Sequence, residues 1–432
     1  MKPVTYFLNL LLLLCGGFTV TTAQSFVLTT PDISPKSAVF QTIGVTEVSV
    51  SYNRPSVKGR KIWGELVPYQ AIWRAGANGN TTIQFSDNVK IEGKELPAGK
   101  YGFHVLPMES KTVLIFSKNA DDWGNSNSSE NADALRVEIQ PAEADKFYEH
   151  LTFTFDDLKN NSATCALQWE RKKFPFKIET DVHQAVLAKM RSELQAKPGF
   201  TWLGWHEAAK YCLTNKVNLE EGLGWASRSV FINPNNFNLI TKAELVGEIK
   251  EPGDETKKKE ATLAVLDSDL AAINCTWKEY DAAAKYALKL KNHTRASDWS
   301  SKAIAQSSNM TTLMTKVQIL EETGKEKEAQ KLRQEAIRVA TNTELNNYGY
   351  QLLYGGKEKE SLEIFEANTQ RHPADPNVWD SLGEAYYTNN MKDKSVAAFK
   401  KSLSLNPPDN VKANTMNFLR LMNVKIEEEN RP

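Results

Sequence analysis

The last third of the chain repeats itself. Gly349 and Gly383 stand 34 residues apart, and so do Phe365 and Phe399, and Pro373 and Pro407. Between Pro376 and Asp409 the order is Trp379, Leu382, Gly383, Tyr386, Phe399 and Pro407. A unit of this length cannot bury its apolar face alone, so the period predicts stacked helix–turn–helix units, an α-solenoid. Gly383 lets two helices approach closely, the aromatic side chains fill the wedge between them, and the proline ends the second helix. Trp379, Leu382, Gly383, Tyr386 and Phe399, with Gly349 and Phe365 one period earlier, are expected to be packing residues.

This frame resembles the tetratricopeptide repeat, and the resemblance implies a concave face that holds a protein or peptide. Upstream, "TWLGWHEAAKYCL" from Thr201 returns as "TWKEYDAAAKYAL" from Thr276, 75 residues later, and Trp225 pairs with Trp299 at 74. "GKEKE" at Gly324 and Gly356 marks turns within hairpins. We expect a connecting helix over 181–200, about six hairpins over 201–410, and a capping helix and tail over 411–432. Trp202, Trp205, Trp225, Trp277 and Trp299 are expected between helices.

Ahead of the array, from Ser34 to about Ile178, the apolar period is two. Val48, Val50 and Tyr52 alternate with Glu47, Ser49 and Ser51; Ile83 with Phe85, and Tyr101 with Phe103 and Val105, follow. Then come Val113 and Ile115; Leu135, Val137 and Ile139; Leu151, Phe153 and Phe155; and Cys165, Leu167 and Trp169. About nine short strands broken by Gly, Pro, Asn and Asp predict an all-β, sandwich-like domain over 34–180. The chain is thus multidomain, β then α.

Two connections are longer than hairpins need. Arg54 to Gly79 concentrates Arg54, Lys58, Arg60 and Arg74 with Trp63, Tyr69 and Trp73; Asn119 to Asn131 is polar with one Trp. Long ordered loops in compact domains tend to be functional. If the first folds over the face carrying His104, then Arg54, Arg60, Arg74, Asn78, His104, Lys118 and Trp123 converge. That set suits an anionic or sugar ligand. The other reading is that the arginines satisfy loop carbonyls and the tryptophans pin the loop down.

The segments "SYNRPSVKGRKIWGELVPYQAIWRAGANGN", "LPAGKYGFHVLP" and "IFSKNADDWG" resemble an exported family of Bacteroidetes type known as domain-of-unknown-function family 2911. The resemblance spans about Ser34 to Ile178 and implies a β domain followed by tetratricopeptide repeats. It implies no activity.

Lys+Arg 53 balances Asp+Glu 53, which gives no global pull towards nucleic acid or anionic membrane. Residues 1–23 read as a signal peptide, with Lys2, an apolar run from Tyr6 to Leu14 and small residues ending at Ala23. The run is too short to span a bilayer, so the mature chain is expected to carry no transmembrane segment. An exported, periplasmic or outward-facing protein is expected. Lipid anchoring at Cys15 is disfavoured, because Leu14 stands where a small residue is wanted. Cys165, Cys212 and Cys275 form neither a disulfide framework nor a zinc pattern and read as buried apolar residues.

Neither the six histidines nor any glycine-rich loop supplies a metal or phosphate motif, and no cofactor is implied. The favoured function is an exported scaffold whose array binds a protein or peptide. The alternative is an envelope hydrolase using His104 with an acid such as Asp121.

Overall fold

Alternating apolar and polar side chains build the first unit, and helical periodicity builds the second. The computed structural model describes residues 30–121 and 130–424; the leader, Cys15 and Trp123 lie outside them. The chain divides into two compact units between Ala188 and Lys189.

The first unit holds ten strands among its described residues. They are β1 (Lys36–Ile43), β2 (Thr46–Asn53), β3 (Thr82–Phe85), β4 (Val89–Ile91) and β5 (Lys94–Leu96). After them come β6 (Gly99–Pro107), β7 (Thr112–Ser117), β8 (Asp133–Ile139), β9 (Ala142–Lys159) and β10 (Ser162–Thr180). Antiparallel pairing gives a six-stranded sheet in the order β1-β2-β3-β6-β7-β8 and a four-stranded sheet β5-β4-β10-β9. Inner faces meet in one aromatic core: Phe103 stacks on Phe176 at 5.6 Å and meets Phe153 edge-on at 5.8 Å. Ring pairs at these separations add to the stabilisation from burial itself.

Two features depart from the sequence expectation. The alternating segments named above miss β1, β4 and β5, which are edge or short strands with little apolar signal. On β7 the expected core pair was Val113 and Ile115, but Leu114 and Phe116 point inward, both 0% exposed. Register decides this, for Phe103 sits opposite Phe116 and Val105 opposite Leu114. Ile115 is buried too, on the outer face opposite His104. A strand apolar on both faces carries no period-two signal to choose between them.

The second unit is helical. After α1 (Val182–Glu193) come α2 (Trp202–Asn215), α3 (Leu219–Ile232), α4 (Asn236–Lys250), α5 (Glu255–Ala272), α6 (Trp277–Lys289) and α7 (His293–Gln306). They continue as α8 (Met310–Glu322), α9 (Glu326–Val339), α10 (Asn342–Tyr354), α11 (Glu358–Arg371), α12 (Pro376–Thr388), α13 (Lys392–Ser404) and α14 (Asp409–Leu421). From α2 to α13 consecutive helices pack as hairpins, and among the first helices α2 touches α4, α4 touches α6, α6 touches α8 and α10 touches α12. Gly324 and Gly356 turn the α8–α9 and α10–α11 corners at φ 74° and 75°, a backbone region open to glycine. No helix among the described residues is long and apolar enough to cross a membrane.

Candidate functional site

The first helices of consecutive hairpins form an inner layer, and a groove of ≈ 410 Å³ opens along it across α6, α8 and α10. All three helices start on a capping box, Thr276 with Glu279, Asn309 with Thr312 and Thr341 with Glu344. Such boxes satisfy otherwise orphaned N–H groups and fix where each helix begins. The groove floor is apolar: Met310 and Val317 are buried, and Met314 and Tyr348 are partly so. Gln318, Asn347 and Gln351 stand exposed on its rim.

Charges at the groove are already partnered. Lys285 pairs with Asp281 at 2.7 Å, Glu321 with Arg333, and the Glu344 carboxylate accepts from the N–H and hydroxyl of Thr341 at 2.9 and 2.8 Å. What remains to meet a ligand is thioether, phenol and neutral amide. Burial pushes the Tyr348 hydroxyl above its usual pKa, so it stays a neutral donor. This set matches a polypeptide segment: the amides each offer donor and acceptor to a main chain, and the flexible methionines accommodate an apolar side chain.

Further along the same layer, residues one 34-residue period apart touch. Tyr350 donates to Glu384 at 3.1 Å, and Asn414 donates to Asp380 at 2.8 Å. Burial raises the pKa of both carboxyls. The packing residues lie beneath: Phe365, Phe399 and Leu382 are buried, and Gly349 and Gly383 face the phenylalanine rings. Trp379 is bound through its indole N–H to the Pro373 carbonyl at 2.9 Å, and Tyr386 to Glu366 at 2.7 Å.

In the β unit the long loop is tied down. Arg54 donates to the Leu151 carbonyl at 3.0 Å and to Thr152 Oγ1 at 2.8 Å, and Arg60 donates to the carbonyls of Val57 and Ser56. Trp73 stacks on Trp169 at 5.8 Å and meets Trp63 edge-on, also at 5.8 Å. Trp73 also bridges to Val105 in antiparallel register, which sets Arg74 opposite His104 on the outer face. The Arg74 Nε is buried without a hydrogen-bond partner among the described residues. Asn78 lies near Ser34, and Lys118 is exposed at the end of β7. The structure therefore brings Arg74 and His104 together but turns Arg54 and Arg60 to backbone carbonyls, because a long loop must satisfy its own polar groups. His104 is 4% exposed, and the Asp121 carboxylate pairs with Lys100 at 2.7 Å. An imidazole this deeply covered does not offer the open acid–base pair that hydrolysis needs.

Sequence reasoning missed the groove residues. Met314 and Tyr348 are 34 residues apart. Projecting the repeat period onto the first helices would have found them.

Fold and groove define the class: a β-sandwich followed by an array of tetratricopeptide-type hairpins. Residues 34–178 match the family model described as a protein of unknown function, DUF2911, and residues 376–409 match a tetratricopeptide repeat. No curated protein matches the chain. Among solved structures, YrrB, titled a TPR protein with an unusual peptide-binding site, is 11% identical; the match covers 51% of this chain and 93% of that one at TM-score 0.21. A tetratricopeptide repeat protein from Parabacteroides merdae is 14% identical, with 54% and 91% covered and TM-score 0.26. The APC/C hetero-tetramer Cut9-Hcn1 is 12% identical at TM-score 0.25; the match takes in 56% of this chain and 49% of that one.

Proposed function

We propose that this is a binding scaffold whose helical array holds an extended segment of a partner protein in the groove across α6, α8 and α10. The observation that carries the reading is the division of labour at the groove. Its charges are consumed internally, while Met314, Tyr348, Gln318, Asn347 and Gln351 are left to face a ligand. The leader-like N-terminus supports an exported protein, with the partner met outside the cytoplasm.

The test is selection of peptides from a random-sequence display library on the intact chain, followed by binding of the synthesised peptides. Tyr348→Ala and Met314→Glu should each weaken a selected peptide about tenfold, the loss expected for one anchor contact. A photo-crosslinker at Gln351 should capture it, and one at Glu363 on α11 should not. Peptides that bind equally well to both variants would sink the reading.

A further inference from the structure

The outer face of the six-stranded sheet carries a second surface. Register sets Phe40 opposite Ser49, Ser49 opposite Gln84, and Gln84 opposite Lys100, one row across β1, β2, β3 and β6. The next row is Ala38, Ser51, Thr82 and Gly102. Directly opposed residues share a face, and three strand spacings make a row roughly 14 Å long. Two adjoining cavities of ≈ 690 and ≈ 450 Å³ cover these rows and share Ser49 and Gln84. The surface is therefore a trough and not a flat solvated sheet.

Its walls come from the two long connections, Asn78–Asn80 on one side and Ala120–Asp121 on the other. Gly102 lets them close in, because a β-carbon there would come within 2.7 Å of the Asn119 carbonyl oxygen and 3.4 Å of Asn80 Nδ2. Both amide atoms of Asn80 are buried with no hydrogen-bond partner among the described residues.

Chemistry narrows the occupant. Of the charged side chains that line the trough, Lys100 is held by Asp121, Asp32 and Lys36 lie at the far end, and Glu47 lies at the end near Phe40. Two lysines against three carboxylates disfavour an anion. Ser49, Ser51, Thr82 and Gln84 offer neutral donors and acceptors in a regular grid, and Phe40 stands 77% exposed at one end. An exposed ring beside a grid of hydroxyls and amides fits a polyhydroxylated ring with one apolar face.

We propose that this trough binds a neutral saccharide chain, with a sugar ring stacked on Phe40 and its hydroxyls bonded to Ser49, Gln84 and Thr82. The site shares no residue with the groove of the array, and its test is independent of that reading.

The intact chain is titrated by calorimetry with neutral hexasaccharides of gluco-, manno-, galacto- and xylo-configuration and, as the charged control, a galacturonate hexamer. One neutral hexamer should bind. Phe40→Ala and Gln84→Ala should each weaken it about fivefold, the worth of one ring contact or hydrogen bond. Phe40→Trp should retain binding, and Tyr348→Ala should leave it unchanged. All of these leave the melting temperature in place, which separates lost binding from lost folding. The proposal is overturned if no neutral hexamer binds at about 10 mM, the weak end of useful affinity. Equal binding by the Phe40→Ala, Gln84→Ala double variant, or preference for the galacturonate, would also overturn it.

Discussion

Phe399 rests against the bare Cα of Gly383: a β-carbon on that glycine would come within 2.7 Å of the ring. Phe365 stands in the same relation to Gly349, again at 2.7 Å. Behind each pair a buried serine of the second helix, Ser395 or Ser361, donates to the glycine carbonyl at 2.7 Å. The hairpin is thus closed by one steric fit and one hydrogen bond, repeated.

Gly383→Ala should therefore destabilise the array even though alanine favours helices. The propensity gain is about 1 kcal/mol, while overpacking against a ring with no room to move costs about 1–3 kcal/mol. Urea unfolding followed by circular dichroism should show a lower midpoint. Phe399→Leu in the same chain should recover part of it, and an unchanged midpoint for Gly383→Ala would contradict the fit.

The loop from Arg54 to Gly79 should behave as part of the core. Trp73→Ala removes a ring stacked on Trp169 and packed edge-on against Trp63, and should cost about 3–5 kcal/mol. Arg54→Ala leaves the Leu151 carbonyl unmet and should cost about 1–3 kcal/mol. Limited trypsin digestion should cut near Arg60 in the Trp73 variant and spare the parent.

Two carboxylates of the array predict opposite pH behaviour. Burial raises the Glu384 carboxyl, so the folded chain keeps its proton to higher pH than the unfolded chain. Its effect is absent below the unfolded value, and stability is lost as pH rises from there through the raised folded value. Glu384→Gln should equal the parent below about pH 4 and exceed it at pH 7. Glu221 runs the other way: its hydrogen bonds with Arg191, at 2.7 Å, lower its pKa, so it stabilises above the unfolded value and loses this as pH falls through the folded one. Glu221→Gln should be the weaker protein at pH 7 and equal at low pH. Unfolding midpoints across the range check both signs.

Cys165, Cys212 and Cys275 should be unreactive in the folded protein. All three are buried and free, and burial pushes Cys212 and Cys275 up to about 11 and Cys165 higher still. The thiolate is the nucleophile, so iodoacetamide at pH 8 should modify these three only after urea is added. Mass spectrometry of the digest reads the result, and labelling of native protein at Cys165 would refute it.

What the sequence determined by itself was whatever depends on spacing along the chain. The 34-residue recurrence of Gly383 and Phe399 dictates hairpins that must stack, because each exposes an apolar face its neighbour covers. The period of two in β2, β6 and β9 dictates sheets with one face inward. Tertiary structure alone decided what depends on which strands or helices come side by side. Strand register chose Leu114 and Phe116 over Val113 and Ile115 for the core, since β7 is apolar on both faces. Loop closure turned Arg54 and Arg60 onto backbone carbonyls, since a buried chain must satisfy its own polar groups. The groove at Met314 and Tyr348 and the row from Phe40 to Lys100 join residues tens of positions apart, and no local pattern in the sequence carries such a neighbourhood.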